Sequence, residues 1–197
     1  SAAVNVLLHR YTGREDLLLN STFAARTRPE LGGLIGLFIN TAVLRTDLSG
    51  APRFRALLHR VRDAVLAAYS HLDVPFPRLI AELYPGETLS RTFFSRVNFN
   101  VLSFAGGAMP ANEDLAIESY TVINPPAKYD LALTWREGPD FLLCGLSSPR
   151  DLMTQEAIGR LREDLDAVLQ AAVAAPDAPI ADLLPEPRHR PYRAPAS

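Results

Sequence analysis

Three polar side chains, Asn40, Thr41 and Arg45, interrupt an apolar run at residues 36–45, whose sequence is GLFINTAVLR. Burying an amide, a hydroxyl or a guanidinium without hydrogen-bond partners costs free energy, so each group must find a partner or take part in chemistry. The residue types alone favour an ion pair between Arg45 and a local carboxylate, such as Asp47, at the end of a strand. For Asn40 and Thr41 they favour hydrogen bonds to backbone groups at a bulge or a sheet edge.

A second cluster that could do chemistry is HLDVPFP at residues 71–77, which contains His71, Asp73, Pro75 and Phe76. The chemistry of these residues favours a loop in which Phe76 enters the core while His71 and Asp73 cap the next helix. The 4 histidines of the chain have no glutamate or cysteine at the spacing of metal ligands, so we expect no metal site.

The remaining reactive residue types have simpler interpretations. Cys144 lies in the apolar run FLLCGL and Trp135 in the alternating run LALTW, and both patterns are typical of side chains packed in a core. The sequence contains no Gly-x-Ser-x-Gly elbow, phosphate-binding loop or dinucleotide fingerprint. From the residues alone we therefore predict no active site.

Composition argues against several classes of function. The 197 residues are 48% hydrophobic and carry a formal net charge of −2, so we expect no binding to nucleic acid or to an anionic membrane surface. No apolar stretch approaches the ~20 residues of a membrane-spanning helix. The single cysteine fits a reducing compartment, and we expect a cytoplasmic protein. The chain begins with Ser1 rather than methionine, so we expect it to be a piece of a longer reading frame.

Hydrophobic periodicity predicts which helices and strands carry these polar and reactive residues. Helical spacing predicts helices at 2–11, 53–69, 75–86 and, after Thr154 as N-cap, a long helix that reaches Ala172. Alternating or apolar runs predict strands at 16–25, 34–46, 95–104, 115–123, 129–135 and 141–147. This order predicts an α/β (α+β) fold with helices packed on one face of a mixed sheet. We expect residues 1–175 to form this domain and the proline-rich residues 176–197 to be a linker towards a following domain.

Three motifs in a fixed order resemble those of one known family. IGLFINTAVLR at 35–45 and SHLDVPFPRLI at 70–80 are similar to the fifth and sixth core motifs of the condensation domains of nonribosomal peptide synthetases. LSRTFFSRVNFN at 89–100, which includes Ser90 and Arg91, is a weaker match to the seventh motif. The resemblance covers nearly the whole chain. It implies the fold of one chloramphenicol-acetyltransferase-like lobe, the C-terminal half of a condensation domain.

The resemblance implies an activity and a set of partners. Condensation domains form a peptide bond between aminoacyl or peptidyl groups carried as thioesters, in the synthesis of antibiotics and other secondary metabolites. The implied partners are the N-terminal condensation lobe, peptidyl or acyl carrier proteins and an adjacent adenylation domain. No cofactor is implied to bind directly, because the phosphopantetheine arms belong to the carrier proteins. The family's catalytic motif, His-His-x-x-x-Asp-Gly, does not occur in these 197 residues, so we expect no catalytic residue here and no activity of this chain alone.

The resemblance also implies roles for individual residues. Arg45 is implied to pair across the two lobes with the aspartate of the catalytic motif, and to have no partner in the isolated lobe. The residues expected to border or support the substrate tunnel are Gly36, Asn40, Thr41 and Arg45. A structural role is expected for the sixth-motif residues His71, Asp73, Pro75 and Phe76. A segment within 101–128 is expected to reach over the other lobe as a latch.

Two other functions stay open. The chain could be a degenerate, non-catalytic half-domain that holds carrier proteins or neighbouring domains in a synthetase. The seventh motif favours this function, because Thr92 and Phe93 replace the Asn-Pro pair that is usual in the family. The chain could instead be an acyltransferase of the same superfamily that acts with another chain or as a homo-oligomer.

Overall fold

A computed structural model describes residues 1–26, 28–85, 96–103, 128–138 and 140–183. Within them, a five-stranded sheet packs against a layer of helices. The helices are α1 (Ala2–Thr12), α2 (Phe54–Tyr69), α3 (Phe76–Leu83) and α4 (Gln155–Ala174). The strands are β1 (Asp16–Ala24), β2 (Ile39–Asp47), β3 (Val97–Ser103), β4 (Leu131–Glu137) and β5 (Leu142–Ser147), and short 3-10 helices span Pro29–Leu31 and Ile180–Asp182.

The sheet combines antiparallel and parallel pairs in the order β2-β1-β3-β4-β5. β1 pairs antiparallel with β2 along its whole length, and β4 pairs antiparallel with β5. β3 and β4 are parallel throughout, whereas β1 and β3 share a single register pair, Asn20 with Asn98. β2 and β5 are therefore the two edges of this sheet. The arrangement confirms the predicted mixed sheet and the α+β class.

The core lies between one face of the sheet and the helices. Alternate residues of β4 are buried, as expected for a strand with one face on the core. In β1 and β3 adjacent residues are buried as well, namely Leu19 to Ser21 and the pair Asn98 and Phe99. Members of this cluster from the sheet, α1, α2 and α4 include Leu19, Leu133, Leu7, Leu57 and Leu165. Trp135 is buried in the same cluster and Cys144 packs against it, which confirms their predicted packing role. No helix in the described part of the chain is both long and apolar enough to cross a membrane.

The predicted elements lie close to the observed ones except at the start of β2, which begins at Ile39 rather than at residue 34. The register of β2 with β1 begins at Ile39, so residues 34–38 form a loop, in which the carbonyl of Leu34 accepts a hydrogen bond at 2.8 Å from the guanidinium of Arg26. The predicted strand is therefore wrong for residues 34–38. The strand predicted at 115–123 lies outside the described residues. At α4, the predicted N-cap is confirmed, since Thr154 Oγ1 accepts a hydrogen bond from the N–H of Ala157 at 3.2 Å.

Residues 176–183 pack onto the folded domain. The N–H of Phe54, at the start of α2, donates to a backbone carbonyl of this segment at 3.0 Å. Ile180 and Leu183 are 4% and 3% exposed and belong to the hydrophobic core. This corrects the predicted start of the linker at residue 176. Residues 184–197 lie outside the described part of the chain, so a linker there stays a prediction.

Replacing Ile180 tests whether this segment stabilises the fold. Because Ile180 is 4% exposed, we expect Ile180→Ala to lower the free energy of unfolding by about 2–4 kcal/mol. The matched control is Val173→Ala near the end of α4, where the side chain is 83% exposed and the expected change is within about 0.5 kcal/mol. Urea unfolding followed by circular dichroism measures both variants. Equally small effects would contradict a packed segment.

Candidate functional site

Strand β2 divides the polar residues of the run 36–45 between the two faces of the sheet. Successive side chains of a strand point to opposite faces. The register of β2 with β1 continues without a bulge from the pair Asp16–Asp47 to the pair Ala24–Ile39, so this alternation is unbroken. Asn40 therefore shares the core-facing side of β2. Thr41 and Arg45 share the opposite side.

Asn40 ties β2 to the loop that precedes α3. Its Nδ2 donates to the carbonyl oxygens of Leu72 and Val74, at 2.9 and 2.7 Å. Its Oδ1 accepts from the backbone N–H of Phe76 at 3.2 Å and from that of Thr41 at 2.9 Å. Both donors and both acceptor positions of the amide are thus used. This confirms the prediction from the residues that Asn40 bonds to backbone groups at a sheet edge, and it identifies them.

The same contact explains how α3 begins. Pro75 is the N-cap residue of this helix and supplies no side-chain hydrogen bond. The first N–H groups of a helix have no partner within the helix, so another group must accept from them. Asn40 accepts from the first of these, the N–H of Phe76. The helix is therefore capped by a side chain from β2.

The other predicted roles in this loop need correction. No hydrogen bond joins His71 or Asp73 to the start of α3 in the described part of the chain, and both residues are exposed, so their predicted capping role is wrong. Phe76 is half-buried, and Leu72, at 5% exposure, is the residue of this loop that enters the protein interior. The physical reason is that Asn40 already accepts from the N–H of Phe76, the group at the start of α3 that His71 or Asp73 was expected to cap.

Arg45 pairs with Asp16 of the neighbouring strand. Its Nε and Nη2 each lie 2.9 Å from one carboxylate oxygen of Asp16, which is a bidentate ion pair. The hydrogen bond with Asp16 raises the pKa of the Arg45 guanidinium. Asp47 instead accepts hydrogen bonds from the N–H and hydroxyl of Ser49 at 2.8 and 3.0 Å, and these lower the pKa of the Asp47 carboxyl. Arg45 therefore pairs with a carboxylate, as the residue types favoured, but the partner is Asp16 rather than Asp47. The expectation that it has no partner in this chain is wrong.

The Arg45–Asp16 pair is open to solvent. The two side chains are 73% and 55% exposed. Water and salt screen such a pair, so it contributes little to stability. The guanidinium is therefore held in a defined position on the surface, and it can exchange one carboxylate for another at small free-energy cost.

A cluster of asparagines lies where β1 and β3 diverge. Asn98 Nδ2 donates to the backbone carbonyl of Asn20 at 3.4 Å, Asn100 Nδ2 donates to Asn98 Oδ1 at 3.0 Å, and Asn100 Oδ1 accepts from the N–H of Thr22 at 2.8 Å. These side chains replace ladder bonds that the two strands do not form beyond their one register pair. Sequence reasoning missed this cluster, although two asparagines at alternate positions of VNFN, inside a predicted strand, signalled it.

Two side chains of this cluster, those of Asn20 and Asn98, are deeply buried, and Asn100 is half-buried. Asn20 is 1% exposed and Asn98 is 3% exposed. Within the described part of the chain, neither polar atom of the Asn20 side chain has a hydrogen-bond partner. Asn20 of β1 pairs with Val43 of β2. Val43 and Arg45 are two residues apart on the same strand, so Asn20 lies on the same face of the sheet as Arg45.

Gly36 lies in the exposed loop that leads into β2. A Cβ atom at this position would come within 3.0 Å of a ring carbon of Phe38, so glycine permits the close approach of this ring. Gly36 therefore shapes the loop before β2. Its predicted role beside the substrate tunnel stays a prediction, as does that of Thr41.

A groove of about 310 Å³ lies between β5 and α4, at the sheet edge opposite to β2. Its lining includes Cys144 and Arg162. Burial raises the pKa of the Cys144 thiol to about 11, so the thiol is protonated at neutral pH and is a poor nucleophile. No group of three or more possible metal ligands among His, Cys, Asp and Glu occurs within the described ranges.

The remaining predicted site residues are not described. Ser90 and Arg91 of the seventh motif lie outside the described residues. So does most of the latch segment within 101–128. Their roles stay predictions.

Comparison with known proteins identifies relatives along nearly the whole chain. A family model described as the condensation domain matches residues 1–189. One of the linear gramicidin synthase proteins of Brevibacillus parabrevis is 40% identical over 190 residues, which are 93% of this chain and 4% of that protein. Chondramide synthase cmdD of Chondromyces crocatus is 40% identical over 192 residues, which are 96% of this chain and 5% of that protein. The chain thus spans a small part of these relatives.

Solved structures share the fold. The X-domain from teicoplanin biosynthesis is 30% identical, with a TM-score of 0.80 over 93% of this chain and 42% of that chain. An X-domain in complex with OxyB from the same biosynthesis is 28% identical, with a TM-score of 0.80 over 92% of this chain and 40% of that chain. A four-domain nonribosomal peptide synthetase bound to AMP and glycine has a TM-score of 0.82 at 21% identity, over 94% of this chain and 15% of that chain, which supports the fold alone.

The anchoring role of Asn40 can be tested by truncation. Asn40→Ala removes the partners of three backbone groups in the loop before α3, so we expect the free energy of unfolding to fall by about 2–3 kcal/mol. Thr41→Val is the control, with an expected change within about 0.5 kcal/mol. Hydrogen exchange should show faster exchange of the Phe76 amide in Asn40→Ala only. An unchanged unfolding midpoint in Asn40→Ala would exclude the anchoring role.

The exposed ion pair gives a different expectation. Arg45→Ala should leave the stability of this chain nearly unchanged, because the pair with Asp16 is open to solvent. A double-mutant cycle with Asp16→Ala, measured by urea unfolding at low and at high salt, should give a small coupling that disappears at high salt. A large coupling that persists at high salt would mean that the pair belongs to the fold and is not exchangeable.

Proposed function

Because this chain belongs to the condensation domain family, we propose that it is the C-terminal lobe of a domain that joins carrier-bound aminoacyl or peptidyl groups by a peptide bond. One observation carries this proposal: a chain that matches the family model over residues 1–189 contains no His-His pair. The chain also spans only 42% of a solved X-domain. In this proposal the reactive groups belong to an N-terminal lobe of the same domain, and this chain alone is inactive.

The proposed reaction is the aminolysis of a thioester. The acceptor amine attacks the carbonyl carbon of the donor, the C–N bond forms, the C–S bond breaks, and the sulfur leaves as a thiol with the proton that the amine loses. This requires an unprotonated amine, its placement against the carbonyl, and stabilisation of the oxyanion. The described histidines lie on α1, on α2 and in the loop before α3, so β2 offers no imidazole. We therefore assign the imidazole to the His-His-x-x-x-Asp-Gly motif of the other lobe.

Arg45 is proposed to organise that motif rather than to react. In the assembled domain its guanidinium would exchange Asp16 for the aspartate of the motif, and the new ion pair would hold the catalytic loop. Its 73% exposure supports the exchange, because the group is not locked in the core. Thr41, on the same face of β2, would border the tunnel. Asn40 would support β2 from the opposite face.

Carrier proteins are proposed to deliver both substrates on phosphopantetheine arms, and an adenylation domain to supply the activated amino acids. Support comes from the relatives, since the chain spans only 4% of a linear gramicidin synthase protein and 5% of chondramide synthase. The same fold forms 15% of a four-domain nonribosomal peptide synthetase. A lobe of this kind therefore occurs as one part of a long assembly. No cofactor needs to bind this chain directly.

A non-catalytic docking module is the second candidate, and one observation favours it. An X-domain that is 28% identical to this chain was solved in complex with OxyB, so a related fold binds a partner protein. In this alternative the chain would hold a carrier protein or a neighbouring domain through its surface, without chemistry. The exposed Arg45 would then pair with a partner's carboxylate.

Reconstitution from two lobes distinguishes these functions. The chain is mixed with a separately produced N-terminal condensation lobe that carries His-His-x-x-x-Asp-Gly, and amide formation from two carrier-bound thioesters is followed by mass spectrometry. We expect product from the mixture and none from either lobe alone. Arg45→Ala should reduce the rate by about tenfold or more, because in the proposed assembly the aspartate of the catalytic motif would lose its partner at the interface between the lobes. Arg62→Ala, which removes another exposed ion-paired arginine, on α2, should leave the rate unchanged.

Each other outcome has a defined meaning. Binding of the two lobes without product would favour the docking module. Absence of binding would exclude the proposed lobe function. Product from this chain alone would show that its own residues are sufficient for catalysis, against the proposal.

A further inference from the structure

One arginine organises the loop between β1 and β2. Arg26 Nη2 donates to the carbonyl of Leu34 at 2.8 Å, and its Nη1 hydrogen-bonds the carbonyl of Leu31 and reaches that of Gly32 at 3.4 Å. Its guanidinium carbon lies 4.1 Å from the centre of the Phe38 ring. A single side chain thus joins the middle and the end of residues 28–38, which we call the clamp loop.

The clamp loop and the first residue of β2 present a row of exposed aliphatic side chains. Their exposed fractions are 52% for Leu34, 104% for Ile35, 86% for Leu37 and 57% for Ile39. No residue from 34 to 39 is charged. A contiguous, uncharged row of this kind marks an interaction surface. We call these four residues the aliphatic row.

Arg26 is suited to fix the shape of this loop. The backbone hydrogen bonds described for the loop are those of the 3-10 turn and its exit, at 3.0–3.3 Å, and a bond from the N–H of Ala25 to the carbonyl of Phe38 at 2.8 Å. These bonds close the ends of the loop but do not join its middle to Phe38. A planar guanidinium can donate to several carbonyls and stack on a ring at the same time, which a lysine ammonium cannot do.

We propose that Arg26 is a positioning residue that holds the clamp loop in the shape in which the aliphatic row docks on an apolar surface of the N-terminal lobe. This inference rests on the proposed function, because that function supplies the lobe. Ordering a loop before association removes an entropic cost from binding. Arg26 thus acts through Leu34, Ile35 and Leu37, and not through contact with substrate.

Two observations favour the other lobe as the occupant. The chain spans 40–42% of the X-domain chains that share its fold, so more than half of each such domain lies outside the matched region. Ile39 also shares a face of β2 with Thr41 and Arg45, because the register of β2 is unbroken. One partner surface can therefore cover the aliphatic row and reach the guanidinium.

Binding of the two lobes tests the inference. The labelled chain is titrated with the N-terminal lobe that carries His-His-x-x-x-Asp-Gly, and the dissociation constant is measured by fluorescence anisotropy. We expect Arg26→Ala to weaken binding by about tenfold, and Arg26→Lys to weaken it similarly, because lysine cannot reproduce the fork. Arg28→Ala removes the same charge from the same loop and should change binding by less than about twofold.

The aliphatic row has its own matched pair of variants. Leu37→Asp places a charge on the row and should weaken binding more than Arg26→Ala does. Val173→Asp places the same charge on an equally exposed aliphatic position of α4 and should have no effect. Hydrogen exchange should show faster exchange of the Leu34 amide in Arg26→Ala, at an unchanged unfolding midpoint. If that exchange increases while the dissociation constant stays the same, Arg26 shapes the loop without affecting docking and the inference is wrong.

The outcomes separate this inference from the proposed function. If the parent chain binds the N-terminal lobe and gives product while Arg26→Ala binds equally well, only this inference fails. If the parent chain does not bind, both fail. Self-association of the parent that Leu37→Asp abolishes would assign the row to a second copy. Binding to phosphatidylcholine vesicles that Leu37→Asp abolishes would assign it to lipid. Either result would overturn the inference.

Discussion

The side-chain amide of Asn40 is the interaction on which the arrangement of the site depends. The loop before α3 ends at Pro75, which has no N–H group, and the carbonyls of Leu72 and Val74 in this loop need donors from elsewhere. Asn40 supplies two donors to this loop and accepts from the first N–H of α3. A carboxylate would lose the two donors and an aliphatic side chain would lose every bond. The loop before α3 therefore requires an amide side chain at position 40, and this amide in turn holds the loop against the edge strand β2.

The alternation of β2 assigns structural and functional roles to opposite faces. Asn40 on one face bonds to the interior of this chain, while Arg45 on the opposite face is exposed to solvent. The bidentate contact with Asp16 orients the guanidinium, and its exposure keeps the interaction weak. An arginine buried with Asp16 could not change partner without leaving a charge unpaired in the interior. The partner exchange proposed for Arg45 therefore requires a pair at the surface, as this one is.

Sequence reasoning was successful where the signal was periodic and failed where contacts join distant residues. The helical spacing of Phe54, Leu57 and Val61 gave α2, because these residues pack on one face. Residues 34–38 are as apolar as a strand, but they form a loop whose Leu34 carbonyl is hydrogen-bonded by Arg26, and periodicity does not reveal this contact. The choice between Asp16 and Asp47 as the partner of Arg45 depends on the register of β1 with β2, which periodicity does not specify.

The two ends of β2 expose different side chains, Ile39 at one end and Arg45 at the other. A partner that covers both must therefore combine an apolar area with a carboxylate. From Ile39 to Arg45 the strand extends about 20 Å at roughly 3.3 Å per residue, with an aliphatic side chain at one end and a guanidinium at the other. A small ligand cannot cover both ends, whereas an interface of roughly 800 Å² on each partner can. Burying the aliphatic end supplies association free energy, since each square ångström removed from water is worth about 25 cal/mol. The charged end adds little affinity but discriminates between partners, because a surface must place a carboxylate at this distance to replace Asp16 as the partner of Arg45. In the proposed assembly, the apolar loop would provide the strength of docking and Arg45 its register, so the catalytic motif would be aligned only when the correct lobe is bound.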